Sequence, residues 1–229
     1  MSLKILGGEH RGRVLQSVRG MGTRPLLGQV REALFNILAD AVPGAVVWDL
    51  FAGSGASGLE ALSRGAEHVL FVEKNGRALD VLQRNLHLLG DDAVARGRPI
   101  RGDAWEPPVL DRAAYGIDAG DTAPGAELAP DLVFLDPPYD LVAEDPAKSL
   151  VRARRLLERT APRGCVVFHF ETGVLDADDF DGDVDLDLRE WGRTAIAMLW
   201  RKGEAPEHLQ RRWAKLQARS ADDDAARQL

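Results

Sequence analysis

The chain has 229 residues, 45% of them hydrophobic, which allows one large or two small domains with a genuine core. No apolar run approaches the ~20 residues of a membrane helix, and the N-terminus has no apolar stretch of signal-peptide length, so a cytoplasmic protein, with no membrane partner, is expected. The net charge of −7 by itself speaks against nucleic-acid binding, and the single cysteine, Cys165, excludes an internal disulfide and reads as a buried core thiol.

The charge is unevenly spread. Residues 1–31 carry Lys4, Arg11, Arg13, Arg19, Arg24 and Arg31 against one acid, Glu9, whereas acids gather between Asp176 and Asp187. A local basic surface is what matters for phosphate contact. Residues 1–27 therefore read as a basic extension, 28–202 as the main domain and 203–229 as a charged tail.

In chain order, Val30, Leu34, Ile37, Leu38 and Ala41 predict a helix over 28–41, stopped by Pro43-Gly44. Val46 to Phe51 predicts a buried strand and Ser57 to Ser63 a helix. His68 to Glu73 predicts a second strand, and Leu79, Leu82, Leu86 and Leu89 share the face of a helix ended by Gly90. Pro99 to Arg101 is a weak third strand. Residues 106–130, rich in Pro, Gly, Ala and Asp, read as a loop or insertion. Leu132 to Leu135 is the fourth strand. Pro146 suits the first turn of a helix with Leu150, Val151, Arg154 and Leu157 inward, and Cys165 to Phe170 is the fifth strand. Val184, Leu186 and Leu188 alternate with acids, Trp191-Gly192-Arg193 turns, and Ile196, Met198 and Trp200 alternate again. That pattern predicts a hairpin with one wet face. The last 27 residues read as a charged helix with a frayed end, and Arg211, Arg212, Trp213 and Lys215 there read as a solvated face or an RNA contact.

Strands alternating with helices imply a doubly wound, Rossmann-like α/β sheet, made mixed by the antiparallel C-terminal hairpin, with seven strands in all. Ligands bind such sheets at the carboxyl ends of the strands. Asp49, Glu73, Asp103 and Asp136 each fall at or just after such an end.

The first strand runs into Asp49-Leu-Phe-Ala52-Gly53-Ser54-Gly55-Ala-Ser-Gly58, a G-x-G-x-x-G loop opening a helix, and Glu73 stands 20 residues after Gly53. Three explanations compete: a dinucleotide site, an S-adenosylmethionine site, or merely a tight turn. An anion such as Asp49 sits badly beside a pyrophosphate but well near the ammonium and sulfonium of S-adenosylmethionine. Asp103 could accept from an adenine amino group, although Gly102-Asp103 is also ordinary turn chemistry.

Asp136-Pro137-Pro138-Tyr139 follows the fourth strand. An exocyclic amine on a nucleobase is a poor nucleophile because its lone pair is delocalised. The Asp136 carboxylate and the Pro137 carbonyl could accept its two N–H bonds and free the lone pair. Two prolines stiffen the loop, and Tyr139 offers a face for base stacking. Alone the tetrapeptide is a common strand exit; after a glycine loop and an acid at the second strand it is specific.

Taken together, Asp49-Leu-Phe-Ala-Gly-Ser-Gly55, Glu73-Lys74 and Asp136-Pro-Pro-Tyr139 resemble nucleic-acid amino-methyltransferases. Gly8-Glu-His-Arg11-Gly12-Arg13, Thr23-Arg24-Pro25 and Val30-Arg31-Glu32-Ala33-Leu34-Phe35-Asn36 narrow the resemblance to the RsmD-type family, over roughly residues 4–200. Trp191-Gly192-Arg193-Thr194 is similar to that family's aromatic-glycine turn. The resemblance implies an S-adenosylmethionine-dependent enzyme, acting as a monomer and without metal, that methylates guanine N2 in small-subunit rRNA or the assembling subunit. It implies that Asp49, Ala52, Gly53, Ser54, Gly55, Glu73, Lys74, Asp103 and Ala104 hold the cofactor. It places the target base against Asp136, Pro137, Pro138 and Tyr139, and rRNA phosphates against Arg11, Arg13, Arg24 and Arg31. A DNA adenine-N6 methyltransferase uses the same tetrapeptide, but no second DNA-recognition domain is evident. A catalytically idle RNA-binding factor and an NAD-dependent oxidoreductase are weaker alternatives. The first would not need both motifs intact, and the second lacks a catalytic Lys, Tyr or His at a fitting spacing.

Overall fold

A computed structural model describes residues 3–18, 28–115, 127–180 and 182–211. The fold is built around one seven-stranded sheet in the order β3-β2-β1-β4-β5-β7-β6. Its strands are β1 (Val46–Leu50), β2 (His68–Glu73), β3 (Gly97–Arg101), β4 (Leu132–Leu135), β5 (Cys165–Glu171), β6 (Val184–Trp191) and β7 (Thr194–Arg201). The first five run parallel, while β7 lies antiparallel to both β5 and β6. The carboxyl ends of β1 to β5 therefore share one edge.

The helices are α1 (Gly28–Ile37), α2 (Ala56–Ser63), α3 (Gly76–Leu89), α4 (Asp91–Arg96), α5 (Tyr139–Glu144) and α6 (Pro146–Glu158). Alternation along the central strands sorts apolar side chains to two faces. Val47, Val69, Phe71, Leu132, Phe134 and Val167 pack with α1, α2 and α3. Trp48, Leu50, Leu70, Val72, Val133, Leu135 and Phe168 pack with α5 and α6. A strand buried on both faces carries a continuous apolar run, which explains why these strands are plain in the sequence.

The expected elements recur, with differences that have physical causes. The first helix stops at Ile37, and turns carry the chain to Gly44. Two short helices, α4 and α5, had no signal of their own because six residues span too few turns to show a period. In α6 the buried face is Ser149, Leu150, Ala153, Leu156 and Leu157, while Val151 is 49% exposed, so the expected inward face is rotated by about one residue. Arg154, expected inward, is half-buried. The hairpin is not wet on its acidic side. Asp185 and Asp187 are both buried: the segment after β7 folds over Asp185, which accepts from the Gly203 and Ala205 amides, and Asp187 pairs with Arg189 of its own strand.

Residues 3–18 belong to the same core, with Ile5 and Leu15 buried in it. In the insertion, Ala113–Tyr115 forms a 3-10 turn and Tyr115 reaches the core, where its hydroxyl accepts from the Trp48 indole at 3.1 Å. Residues 116–126 lie outside the described set, as do 19–27, with Arg24, and 212–229, with Arg212, Trp213 and Lys215. Of the tail, 207–211 is helical.

The rotated face of α6 gives a direct check. Leu156→Ala should cost about 2–5 kcal/mol of unfolding free energy and Val151→Ala no more than about 0.5 kcal/mol, in paired urea titrations. Equal losses would return Val151 to the core.

Candidate active site

The site forms at the carboxyl edge, and its floor is Asp49. This carboxylate is 2% exposed, and its Oδ2 accepts the Gly58 amide of α2 at 2.8 Å. Gly58 is required there, because a Cβ would lie 2.3 Å from the Phe71 ring and 2.9 Å from Asp49 Oδ2. Burial pushes the Asp49 carboxyl well above the ordinary range. The Gly58 bond opposes that shift, and the charges of Asp136 and Glu73 add to it. Three acids from three strands thus share one electrostatic site.

Between β1 and α2 the chain must turn sharply. Phe51 takes a left-handed φ of 60°, uncommon outside glycine, and Gly53 and Gly55 follow at 56° and 86°. Gly53 donates its amide to Glu73 Oε2 at 2.8 Å, and Glu73 Oε1 accepts from Asn75 N at 2.7 Å. Glu73 therefore braces the loop, and a carboxylate has lone pairs beyond these two. At Gly53 an added Cβ would meet only the Phe51 carbonyl, at 4.0 Å, so the loop presents open backbone there. Gly55 instead packs tightly: a Cβ there would lie 2.2 Å from Leu82 Cδ1. The Ser54 carbonyl accepts from Asn85 of α3 at 2.9 Å.

Asp103 stands exposed beyond β3, where its Oδ1 accepts the Trp105 amide at 2.9 Å. Turn chemistry thus occupies one oxygen. Ala104 is buried, and Trp105 packs edge-on against Phe51 at 5.2 Å. Lys74 is exposed.

After β4, Asp136 donates its amide to the Leu50 carbonyl of β1. Pro137 is buried, Pro138 is exposed, and Tyr139 opens α5. Asp136 Oδ1 lies 2.5 Å from His169 Nδ1, and His169 Nε2 lies 2.9 Å from the Tyr139 hydroxyl. That hydroxyl also lies 3.3 Å from Thr194 Oγ1. Burial raises the Tyr139 phenol above its ordinary range, as do the charges of Asp136 and Glu171; the Thr194 bond and Arg193 oppose this. His169 and Asn85 were not among the residues expected at the site, and Thr194 was expected only as part of the aromatic-glycine turn. One signal existed for His169, a polar residue inside the apolar run Cys165 to Phe170, one strand away from Asp136.

The arginines separate. Arg31 is 2% exposed, bonds the Lys4 carbonyl and lies 4.0 Å from Glu60, which is fully buried. It is a structural cation, so the expectation that it touches phosphate is corrected. Arg11 and Arg13 are exposed on a loop fastened to the end of α2, where Glu9 N and His10 N bond Ser63. The eight residues of α2 put that loop about 12 Å, along the helix axis, from the glycine loop.

Comparison with known proteins gives the family and the fold. The family model described as conserved hypothetical protein 95 matches residues 3–200. YlbH of Bacillus subtilis (strain 168), provisionally named an rRNA methyltransferase, is 30% identical over 202 residues, 88% of this chain and all of that one. The chain belongs to the RsmD-type methyltransferase family. Ribosomal RNA small subunit methyltransferase D of Haemophilus influenzae is 31% identical over 159 residues, 69% of this chain and 75% of that one. The solved structure of Escherichia coli yhhF, provisionally described as a methyltransferase, superposes with a TM-score of 0.64 at 27% identity, covering 90% of this chain and all of that one.

Like other RsmD-type enzymes, the protein depends on S-adenosylmethionine. The residues present fit that group: an open glycine turn beside three carboxylates suits a ligand with two cationic centres and repels a pyrophosphate. When bound, it supplies an electrophilic methyl group on a positively charged sulfur.

The raised Asp49 carboxyl predicts a pH effect. It holds its proton more tightly folded than unfolded, so stability falls as pH rises from about 4, the unfolded value, toward the folded one. Asp49→Asn should flatten that part of the ligand-free stability curve measured by chemical denaturation. A variant curve parallel to the wild type would contradict the assignment.

Proposed function

We propose that the protein transfers a methyl group from S-adenosylmethionine to the exocyclic N2 amine of a guanine in small-subunit rRNA. The observation that supports this is the end of β4, where Asp136, whose charge acts on Asp49 under the glycine loop, leads into Pro137-Pro138-Tyr139. The relatives named as rRNA methyltransferases support the substrate class.

In this reading Asp49, Ala52, Gly53, Ser54 and Gly55 hold the methionine part, Glu73 with Lys74 the ribose, and Asp103 with Ala104 the adenine. Asp136 Oδ2 and the Pro137 carbonyl accept the two N–H bonds of the amine and localise its lone pair for in-line attack. As the N–C bond forms, the methyl–sulfur bond breaks and the sulfur leaves as a neutral thioether; the attacking amine becomes a strong acid once methylated, and Asp136 receives its proton. Pro138 stiffens the loop, and Tyr139 stacks on a guanine swung out of its helix. Arg11 and Arg13 meet backbone phosphates away from the reacting base.

A labelled-methyl assay on unmodified small-subunit rRNA, naked and partly assembled, with nucleoside analysis, tests the reaction. N2-methylguanosine is expected; label in adenine of DNA would replace this reading with the adenine-N6 one. Asp136→Ala should lower kcat by about 10²–10³, the usual loss of one preorganised transition-state partner. Unchanged turnover would end the amine-activation argument.

The arginine loop makes a separable prediction. Arg11→Ala with Arg13→Ala should weaken RNA binding and reduce the slope of log K against log[salt] by about 2, one unit for each phosphate that is no longer neutralised. At saturating RNA, kcat should stay near wild type because the loop is remote from the reacting edge.

A further inference from the structure

His169 lies in the middle of β5, between Phe168 and Phe170, both fully buried. A polar ring in such a place needs partners for both nitrogens. It has them, and both belong to the Asp136 to Tyr139 segment: Asp136 Oδ1 at 2.5 Å and the Tyr139 hydroxyl at 2.9 Å. The Tyr139 ring also meets the imidazole edge-on, at 5.2 Å and 73°.

The donors and acceptors fall into one order. A carboxylate only accepts, so His169 Nδ1 carries the proton. In a neutral ring Nε2 then accepts, and the Tyr139 hydroxyl donates to it. Thr194 Oγ1, at 3.3 Å, is left to donate to the phenol oxygen. Burial, which keeps Tyr139 protonated, suits it to donate. Asp136 Oδ1 is thereby engaged, so Oδ2 and the Pro137 carbonyl remain. Two acceptors match the two N–H bonds of a primary amine.

We infer that His169 is a positioning residue that locks the Asp136 carboxylate and the Tyr139 ring into one unit, setting the amine acceptor and the base-stacking face together. Tyr139 opens a helix of only six residues, so its ring orientation depends on this outside partner. The inference rests on the methyl-transfer reading above, and it does not depend on which base is methylated.

The two bonds can be restored one at a time. An asparagine amide nitrogen falls near His Nδ1 and can donate to Asp136, and a glutamine amide oxygen can reach the place of Nε2 and accept from the Tyr139 hydroxyl. His169→Ala should lower kcat about 100-fold, the scale of a misplacement near 1 Å, and should also raise the KM for RNA. His169→Asn should recover most of kcat with KM still raised; His169→Gln should recover KM with kcat still low. Tyr139→Phe, which removes only the hydroxyl, should behave like His169→Asn. Cofactor-induced thermal stabilisation, measured without RNA, should match the wild type throughout and shows that each variant is folded. If His169→Ala turns over normally, or if all variants lose kcat and KM in the same proportion, His169 is merely a satisfied core residue. If the His169 variants lose the cofactor response, Tyr139→Phe decides, and a normal KM for RNA there overturns the inference. A wild-type enzyme that methylates no amine overturns the parent reading and this one with it. Methylation of another amine with the split intact overturns only the guanine assignment.

Discussion

The carboxylate buried under the glycine loop is the constraint on which the rest of the site depends. Removing a charge from water costs several kcal/mol unless it is compensated. Asp49 is compensated only in part, among the described residues by the backbone amide of Gly58 in the first turn of a helix whose dipole favours an anion there, and its carboxyl stays well above the ordinary range. That single bond ties the end of β1 to α2. It also explains Gly58, where any side chain would strike Phe71 or the carboxylate itself. The chain must reach α2 within a few residues, and it does so with three left-handed residues, one of them Phe51. Glu73 and Asp136 add negative potential to the same place. A cationic ligand relieves that potential, which is the physical basis for the preference for a sulfonium cofactor over a dinucleotide.

A second set of buried polar groups joins the N-terminal segment to this machinery. Glu60 accepts the Leu6 and Gly7 amides at 2.7 and 2.8 Å and pairs with Arg64. Asn85 bonds Gln16 on one side and the Ser54 carbonyl on the other. Residues 3–18 are thus built onto α2 and α3, and the segment that carries Arg11 and Arg13 is held in register with the glycine loop. A substrate that touches both the arginines and the reacting edge must extend across the length of α2, as a folded RNA does and a lone nucleoside does not.

Much of this was legible in the residue order. β2 and β4 run over the expected residues because strands buried on both faces are written as unbroken apolar runs, and the hairpin turn is marked by Gly192, whose φ is 62°. The short helices were not legible, since six residues show no period. Nor was the fate of Asp185: alternation says that it shares a face with Asp187, but not that residues 203–205 fold over it. Arg31 failed for a similar reason. In a row of arginines it is indistinguishable from Arg11, and only the packing of α1 against Glu60 takes it out of the solvent.

The sequence by itself determined the parallel α/β scaffold, the acids at its strand ends and the Asp136-Pro-Pro-Tyr139 exit from β4. Each of these is a local property, set by hydrophobic period, glycine conformation or the fixed φ of proline. Tertiary structure alone decided which of those residues cooperate. His169 lies 33 positions from Asp136 and 30 from Tyr139, yet β5 pairs beside β4 and lays its imidazole between them. Spacing along a chain carries no information about such a contact, because hydrogen bonds form across strands whose neighbours are chosen by the sheet as a whole.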